Sequence, residues 1–324
     1  MLSHHWLLAW LGLEINTLAM VPIIGKQQHP RATEAAMKYF LIQATSATMI
    51  IYASTLLANE TGEWTITTES SPMTLMLFTV TLMIKLGLAP THLWYQEVLQ
   101  GSSMMTVLLL STWQKLAPMA LLIMLYNQLP LKILIILGTL SIAVGGWMGL
   151  NQTQLRKIMA ASSIAHMGWI VVAINLDKNL TTLTLLLYFL MTISLILVFI
   201  TTMTKTLTDL GTTWLITPTL LSLTLLSLLS LGGLPPLTGF IPKWLITNNL
   251  IMEDIKIIAT IMMIMSLPSL YFYLRMAYLT TLTTPPGTTN NKQKLYLTSH
   301  FPKSLMMMLT LTIFLLPMLP LLNT

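Results

Sequence analysis

Cysteine is absent from the 324-residue chain, which removes disulfide frameworks, thiolate nucleophiles and cysteine-ligated metal or iron–sulfur centres. Charge is nearly as scarce. Only 8% of residues are Asp, Glu, Lys or Arg and 55% are apolar types, whereas a soluble domain carries about 25% charged residues. So few charges cannot cover a water-facing surface, and most of the exterior must meet lipid or other apolar helices. Also missing are a Gly-x-Gly-x-x-Gly turn, a phosphate-binding loop and a His-Glu-x-x-His helix, so no motif announces a cofactor or metal site. The net charge of +6 does not point to nucleic acid, because the basic residues are scattered between apolar runs with no basic stripe or aromatic platform.

What the chain does contain is a succession of apolar segments long enough to cross ~30 Å of hydrocarbon. They cover 3–24, 35–58, 72–99, 103–126, 131–150, 155–176, 180–203, 213–250, 255–280 and 304–322. This predicts an all-α integral membrane protein, a single domain of about ten transmembrane helices. The one extended polar linker, 284–299, surrounds Pro285-Pro286-Gly287. Assigning alternate loops to opposite sides sorts the charges. One side collects Lys26, Arg31, Arg156, Lys157, Lys205, Lys292, Lys294 and Lys303. The other collects Glu60, Glu63, Glu69, Glu253 and Asp254, with Lys132, Lys178 and Lys256. The positive-inside rule then puts both termini opposite the basic loops.

Two segments are too long for one crossing and are interrupted, by Gly87-Leu88-Ala89-Pro90 and by Gly232-Gly233-Leu234-Pro235-Pro236. Aligning Gly87–Pro90 with Gly233–Pro236 brings Glu97 and Lys243 to the same offset from the break. Paired interruptions in two halves of a chain mark an inverted-repeat transporter. The backbone groups they free are tolerated only beside a wet or protein-lined cavity. Two independent proline kinks would look much the same.

Four ionisable residues lie well inside apolar spans: Glu14, Lys85, Lys115 and Lys243. A charge at a helix centre costs about 2.5–3.5 kcal/mol on insertion scales, so the four together cost on the order of 10 kcal/mol. Glu14 can compensate one lysine, leaving two without an evident carboxylate. Desolvation disfavours the charged form of an amine, so a buried lysine releases and regains a proton as neighbouring charges move. That is the chemistry of a proton relay. Lys85 and Lys115 lie too deep to snorkel, whereas Lys38, Lys132, Lys157 and Arg275 sit near helix ends and are expected to do so. Glu34 and Lys38 have the spacing of an i,i+4 surface pair. His92, just past the first break, and His166, in mid-span, are further relay candidates. Either would serve equally as a hydrogen-bonded packing residue.

Several stretches carry a family resemblance. They are Gly12-Leu13-Glu14-Ile15-Asn16, Lys85–Trp94, Trp113-Gln114-Lys115-Leu116-Ala117-Pro118, Gly149–Lys157 and Ser230–Trp244. All resemble the second membrane subunit of animal mitochondrial NADH dehydrogenase, a family similar in turn to the membrane subunits of cation/proton antiporters. The resemblance implies two inverted five-helix repeats, each with a discontinuous helix, over 1–126 and 130–280, then a C-terminal helix at 304–322. Members of the family carry a further span before the one matching 3–24, so the first repeat is expected to lack its opening helix. Glu14 would pair with Lys85, Lys115 would be the central lysine, His166 would stand beside the path and Lys243 would be the terminal lysine. Protons would cross the inner mitochondrial membrane, driven electrostatically by quinone reduction elsewhere in respiratory complex I. NADH, FMN, the iron–sulfur clusters and ubiquinone would be bound by other subunits, and none by this chain. Neighbouring antiporter-like subunits and lipids would be its partners, the basic loops would face the matrix, and the termini the intermembrane space. A free-standing cation/proton antiporter would use Glu14, Lys85 and Lys115 equally well.

Overall fold

The computed structural model describes residues 4–66, 68, 71–212, 218–282 and 303–315. The first half holds α1 (Trp6–Gly25), α2 (Pro30–Thr61), α3 (Pro72–Leu86), α4 (Leu93–Gly101), α5 (Met104–Ser111) and α6 (Trp113–Met124). The second holds α7 (Leu131–Gly149), α8 (Leu155–Ile174), α9 (Lys178–Thr201), α10 (Leu207–Thr212), α11 (Pro218–Gly232), α12 (Phe240–Met252) and α13 (Lys256–Leu282), followed by α14 (Lys303–Phe314). Among the described residues there is no strand, only isolated bridges pairing His5 with Thr65 and Gln154 with Thr206.

Seven helical stretches are long and apolar enough to cross a membrane: α1, α2, α5 with α6, α7, α8, α9 and α13. The two interrupted segments are divided as their glycines and prolines suggested, into α3 with α4 and α11 with α12. Glu69, the linker 284–299 with Lys292 and Lys294, and most of the second half of 304–322 lie outside the described residues.

The two breaks close in the same way. Gly87 (φ 71°) and Gly233 (φ 82°) adopt left-handed backbone, which glycine enters without a Cβ penalty. The amide of Gly87 donates to Ile84 and that of Leu88 to Met83, each at 3.1 Å. At the second break Gly233 donates to Ser230 at 2.9 Å and Leu234 to Leu229 at 3.4 Å. This crossed pair of bonds satisfies two terminal carbonyls and stops the helix.

A third interruption escaped the sequence reading. The span 103–126 is broken at Thr112 (φ −117°, ψ −71°), which separates α5 from α6. Pro118, within α6, has no amide to offer Gln114, four residues back.

α8 is the centre of the fold. Of its apolar window 89% is buried, and it touches α4 and α5 of the first half as well as α7, α9, α12 and α13 of the second. Its closest partner is α7, and small residues make that approach possible. A Cβ on Gly168 would stand 2.3 Å from Ser141 Oγ and 2.7 Å from the Gly138 carbonyl, and one on Gly145 would stand 2.6 Å from the Ala165 amide. Gly168→Val should therefore push α7 from α8 at a cost of about 1–3 kcal/mol. A lowered melting temperature of the detergent-solubilised protein is the expected readout.

Candidate functional site

Lys85 is the penultimate residue of α3, two residues before the closing Gly87, and is 7% exposed. Among the described residues its Nζ has no hydrogen-bond partner, while its carbonyl accepts from Gln43 Nε2 at 3.5 Å. The amine lines a cavity of about 20 Å³ together with Asn16, Tyr39, Tyr95, Gln114 and Lys115. That is room for about one water molecule. Around it, Asn16 and Gln114 exchange two amide hydrogen bonds, each of 3.0 Å, and Tyr39 Oη donates to Gln114 Oε1 at 3.3 Å. These bonds tie α1 and α2 to α6 immediately beside Lys115.

Glu14 stands on α1, half-buried, with the Thr17 hydroxyl donating to its carbonyl at 2.8 Å and 3.5 Å from its carboxylate. Among the described residues no ion pair joins it to Lys85. The two charges are neighbours held apart.

Lys115 is 3% exposed and sits on α6, three residues past the Thr112 break. In a continuous helix its amide would reach the Ser111 carbonyl; here it bonds Thr112 O at 3.2 Å, leaving Ser111 O free. Tyr188, from α9, fills that vacancy. Its hydroxyl donates to Ser111 O at 3.2 Å and accepts from Lys115 Nζ at 3.0 Å. The ammonium also lies over two phenol rings, 5.2 Å from the centre of Tyr95 and 5.0 Å from that of Tyr188. Ring faces stabilise a desolvated cation where no carboxylate is present.

Beyond Tyr188 stands His166, on α8, with ring centroids 5.8 Å apart. Its Nε2 is 3.4 Å from Tyr273 Oη. His166, Tyr188, Thr184 and Lys243 line a second small cavity of about 10 Å³. Lys243, on α12, is 6% exposed and donates to the carbonyl of Gly232 at 2.9 Å. That carbonyl ends α11, where the helix dipole is negative and a cation is favoured.

Four of the predicted residues, Lys85, Lys115, His166 and Lys243, thus follow one another in a line, with a cavity after Lys85, Tyr188 after Lys115 and a second cavity after His166. His92 lies off it. It opens α4 with Nδ1 3.0 Å from the Pro90 carbonyl and lines neither cavity. Glu97 and Lys243 share an offset from their breaks but not an environment. Glu97 is 54% exposed and bonds Lys38 at 2.6 Å, and Lys38 also holds Glu34 at 2.5 Å as its spacing suggested. Arg275, expected to snorkel, instead donates to the Leu150 carbonyl at 2.6 Å. Tyr188, Tyr95 and the Asn16–Gln114 pair were not singled out in advance. A phenol inside the apolar run Leu185–Phe189 was the one available signal, since a buried hydroxyl needs a partner. Among the described residues no three His, Asp or Glu side chains gather as a metal site.

Residues 3–269 match the family described as "NADH:quinone oxidoreductase/Mrp antiporter, TM", and residues 270–323 match "NADH dehydrogenase subunit 2 C-terminus". The chain belongs to the NADH:quinone oxidoreductase/Mrp antiporter family. Among relatives of this family, NADH-ubiquinone oxidoreductase chain 2 of Carassius auratus is 55% identical over 289 residues, covering 89% of this chain and 83% of the relative. The Struthio camelus chain of the same name is 48% identical over 318 residues, 98% of this chain and 92% of the relative. A solved chain of respiratory complex I from Thermus thermophilus with bound aureothin has a TM-score of 0.82 at 28% identity, covering 97% of this chain and 75% of that one. A chain of the Mrp complex from Dietzia sp. shares the fold, with a TM-score of 0.77 at 16% identity over 85% of this chain and 56% of that one.

The buried amines of Lys85, Lys115 and Lys243 and the imidazole of His166 are thus brought into one succession of side chains and small cavities. The seat of the Lys243 amine depends on Gly233. A Cβ there would lie 2.9 Å from Lys243 Nζ at a φ of 82°, whereas at Gly232 the nearest atom would be 3.8 Å away. Gly233→Ala should displace Lys243 and lower proton transfer by on the order of tenfold or more. Gly232→Ala should leave it near wild type. Proton uptake into proteoliposomes compares the two.

Proposed function

We propose that this chain translocates protons as a core membrane-arm subunit of NADH:ubiquinone oxidoreductase, respiratory complex I, in the inner mitochondrial membrane. It is part of a redox enzyme whose NADH and ubiquinone chemistry takes place in other subunits. The observation that carries the reading is the line of buried basic groups from Lys85 to Lys243 in a chain of this family.

The mechanism is electrostatic. Quinone reduction elsewhere changes a charge along the membrane arm, and Glu14 moves toward or away from Lys85. With the pair apart, the unpartnered Lys85 amine gives up its proton across the cavity it shares with Lys115. Lys115 passes a proton onward past His166, and Lys243 exchanges with the opposite aqueous face. The separation of Glu14 from Lys85 in this structure is consistent with the open half of such a cycle.

The same reading organises the rest of the chain. The seven long stretches, the two broken pairs and the segment 304–322 make ten crossings, grouped as inverted repeats over 1–126 and 130–280. The matching glycine closures at Gly87 and Gly233 support the repeat. The basic loops face the matrix and both termini the intermembrane space. Neighbouring antiporter-like subunits and lipids cover the apolar exterior. A free-standing antiporter is the second reading; its membrane subunits share the fold, but the relatives at 48–55% identity are NADH-ubiquinone oxidoreductase chains.

Native-gel separation of mildly solubilised membranes, with in-gel NADH oxidation and peptide identification, tests the assembly. The chain is expected in a very large NADH-oxidising band; migration alone, or with no NADH activity, would overturn the reading. Lys115→Met tests the relay. It should lower proton pumping by on the order of a hundredfold while the complex still assembles, whereas a passive scaffold would keep pumping.

A further inference from the structure

We propose that the Tyr188 phenol carries the proton from Lys115 to His166, and that the Ser111 carbonyl holds that phenol turned away between transfers. This rests on the relay reading above and adds to it a residue and a switch.

Among the described residues no hydrogen bond joins Lys115 directly to His166, and Tyr188 is the side chain that meets both. Its oxygen is 3.0 Å from Lys115 Nζ and its ring centroid is 5.8 Å from that of His166. The side chain is 1% exposed, so bulk water cannot replace it. A phenol has one hydrogen to give. Here it goes to Ser111 O at 3.2 Å while the oxygen accepts from Lys115. In this orientation Tyr188 receives from the lysine and offers nothing to the histidine. The Ser111 carbonyl can play this part only because the Thr112 break diverts the Lys115 amide to Thr112 O. The same kink that places the lysine therefore also makes the acceptor that interrupts its path.

Transfer begins when the hydroxyl swings about its C–O bond from Ser111 toward the imidazole. One N–H bond of the Lys115 ammonium then breaks as an O–H bond forms on Tyr188. The original O–H bond breaks, and its proton joins a nitrogen of the imidazole. Lys115 is left neutral, His166 carries the charge and Tyr188 is unchanged. Tyr273, with Oη 3.4 Å from His166 Nε2, steadies the ring from the other side. The cationic imidazole then faces Lys243 across the cavity they share, and mutual repulsion favours release of the Lys243 proton. Return of the hydroxyl to Ser111 closes the way back.

The test compares Tyr188→Phe, Tyr188→His and Lys115→Met in the assembled complex reconstituted into liposomes. Proton pumping is measured beside comigration of the variant chain with the complex on native gels, which reports assembly alone. Tyr188→Phe keeps the ring and should assemble, yet lose pumping by about tenfold or more. Tyr188→His packs less well but accepts and donates a proton, and should recover much of the loss. A packing role gives the reverse order, with Phe like wild type and His worse, and that result overturns the proposal. Failure of the Phe variant to assemble overturns it too, because the hydroxyl would then be structural. Lys115→Met separates the two readings. If it abolishes pumping while Tyr188→Phe does not, only the role of Tyr188 falls. If Lys115→Met pumps normally, the relay falls and takes Tyr188 with it.

Discussion

A carbonyl freed inside a membrane must find a donor, and the interior of this protein is arranged around that requirement. Lipid offers no hydrogen bond, so each helix that stops or bends within the apolar layer leaves acceptors that only the chain can satisfy. Several of the donors are cations. Lys243 bonds the end of α11 at Gly232, Arg275 the end of α7 at Leu150, and Arg156 the end of α4 at Ser102. Each places positive charge where a helix dipole is negative, offsetting part of the cost of burying it. The cost of the broken backbone and the cost of the buried charge are met by the same contact.

Lys85 and Lys115 depart from this pattern in instructive ways. Among the described residues the Lys115 ammonium bonds no backbone carbonyl; two phenol faces and one hydroxyl surround it, and that hydroxyl takes up the carbonyl the kink has freed. The Lys85 amine has no hydrogen-bond partner among the described residues, and faces a cavity sized for a water molecule. The three lysines are thus held differently, one open, one loosely cradled and one firmly seated. Such a gradient suits the proposed relay, in which a proton passes in steps.

The lysines were legible in the sequence because charge in an apolar run is conspicuous, and the breaks because Gly and Pro are the residues that stop helices. Depth along a span could be counted, which is why Lys85 and Lys115 stood out from Lys38. What surrounds a charge could not. Tyr188 lies 73 positions from Lys115, and nothing local in Leu185–Phe189 says which helix that face will meet. The Thr112 break was hidden because neither Gly nor Pro marks it; Pro118 acts on carbonyls a turn earlier. Glu97 and Lys243, alike in offset, differ because α4 ends at a polar surface beside Lys38 while α12 packs inward. Arg275 was read as interfacial for want of any sign that α7 would end against it.

α8 is enclosed by helices from both halves and locked to α7 by contacts that leave no room for a Cβ. A helix so confined is braced against the rocking by which one bundle of an alternating-access carrier moves past the other. His166 rides on this post, and in the proposed relay a proton passes it by the turning of a hydroxyl or the swing of an amine. A relay of that kind is a stator: charge crosses while the protein's outline stays the same, and whatever packs against the outside need make no room for the stroke.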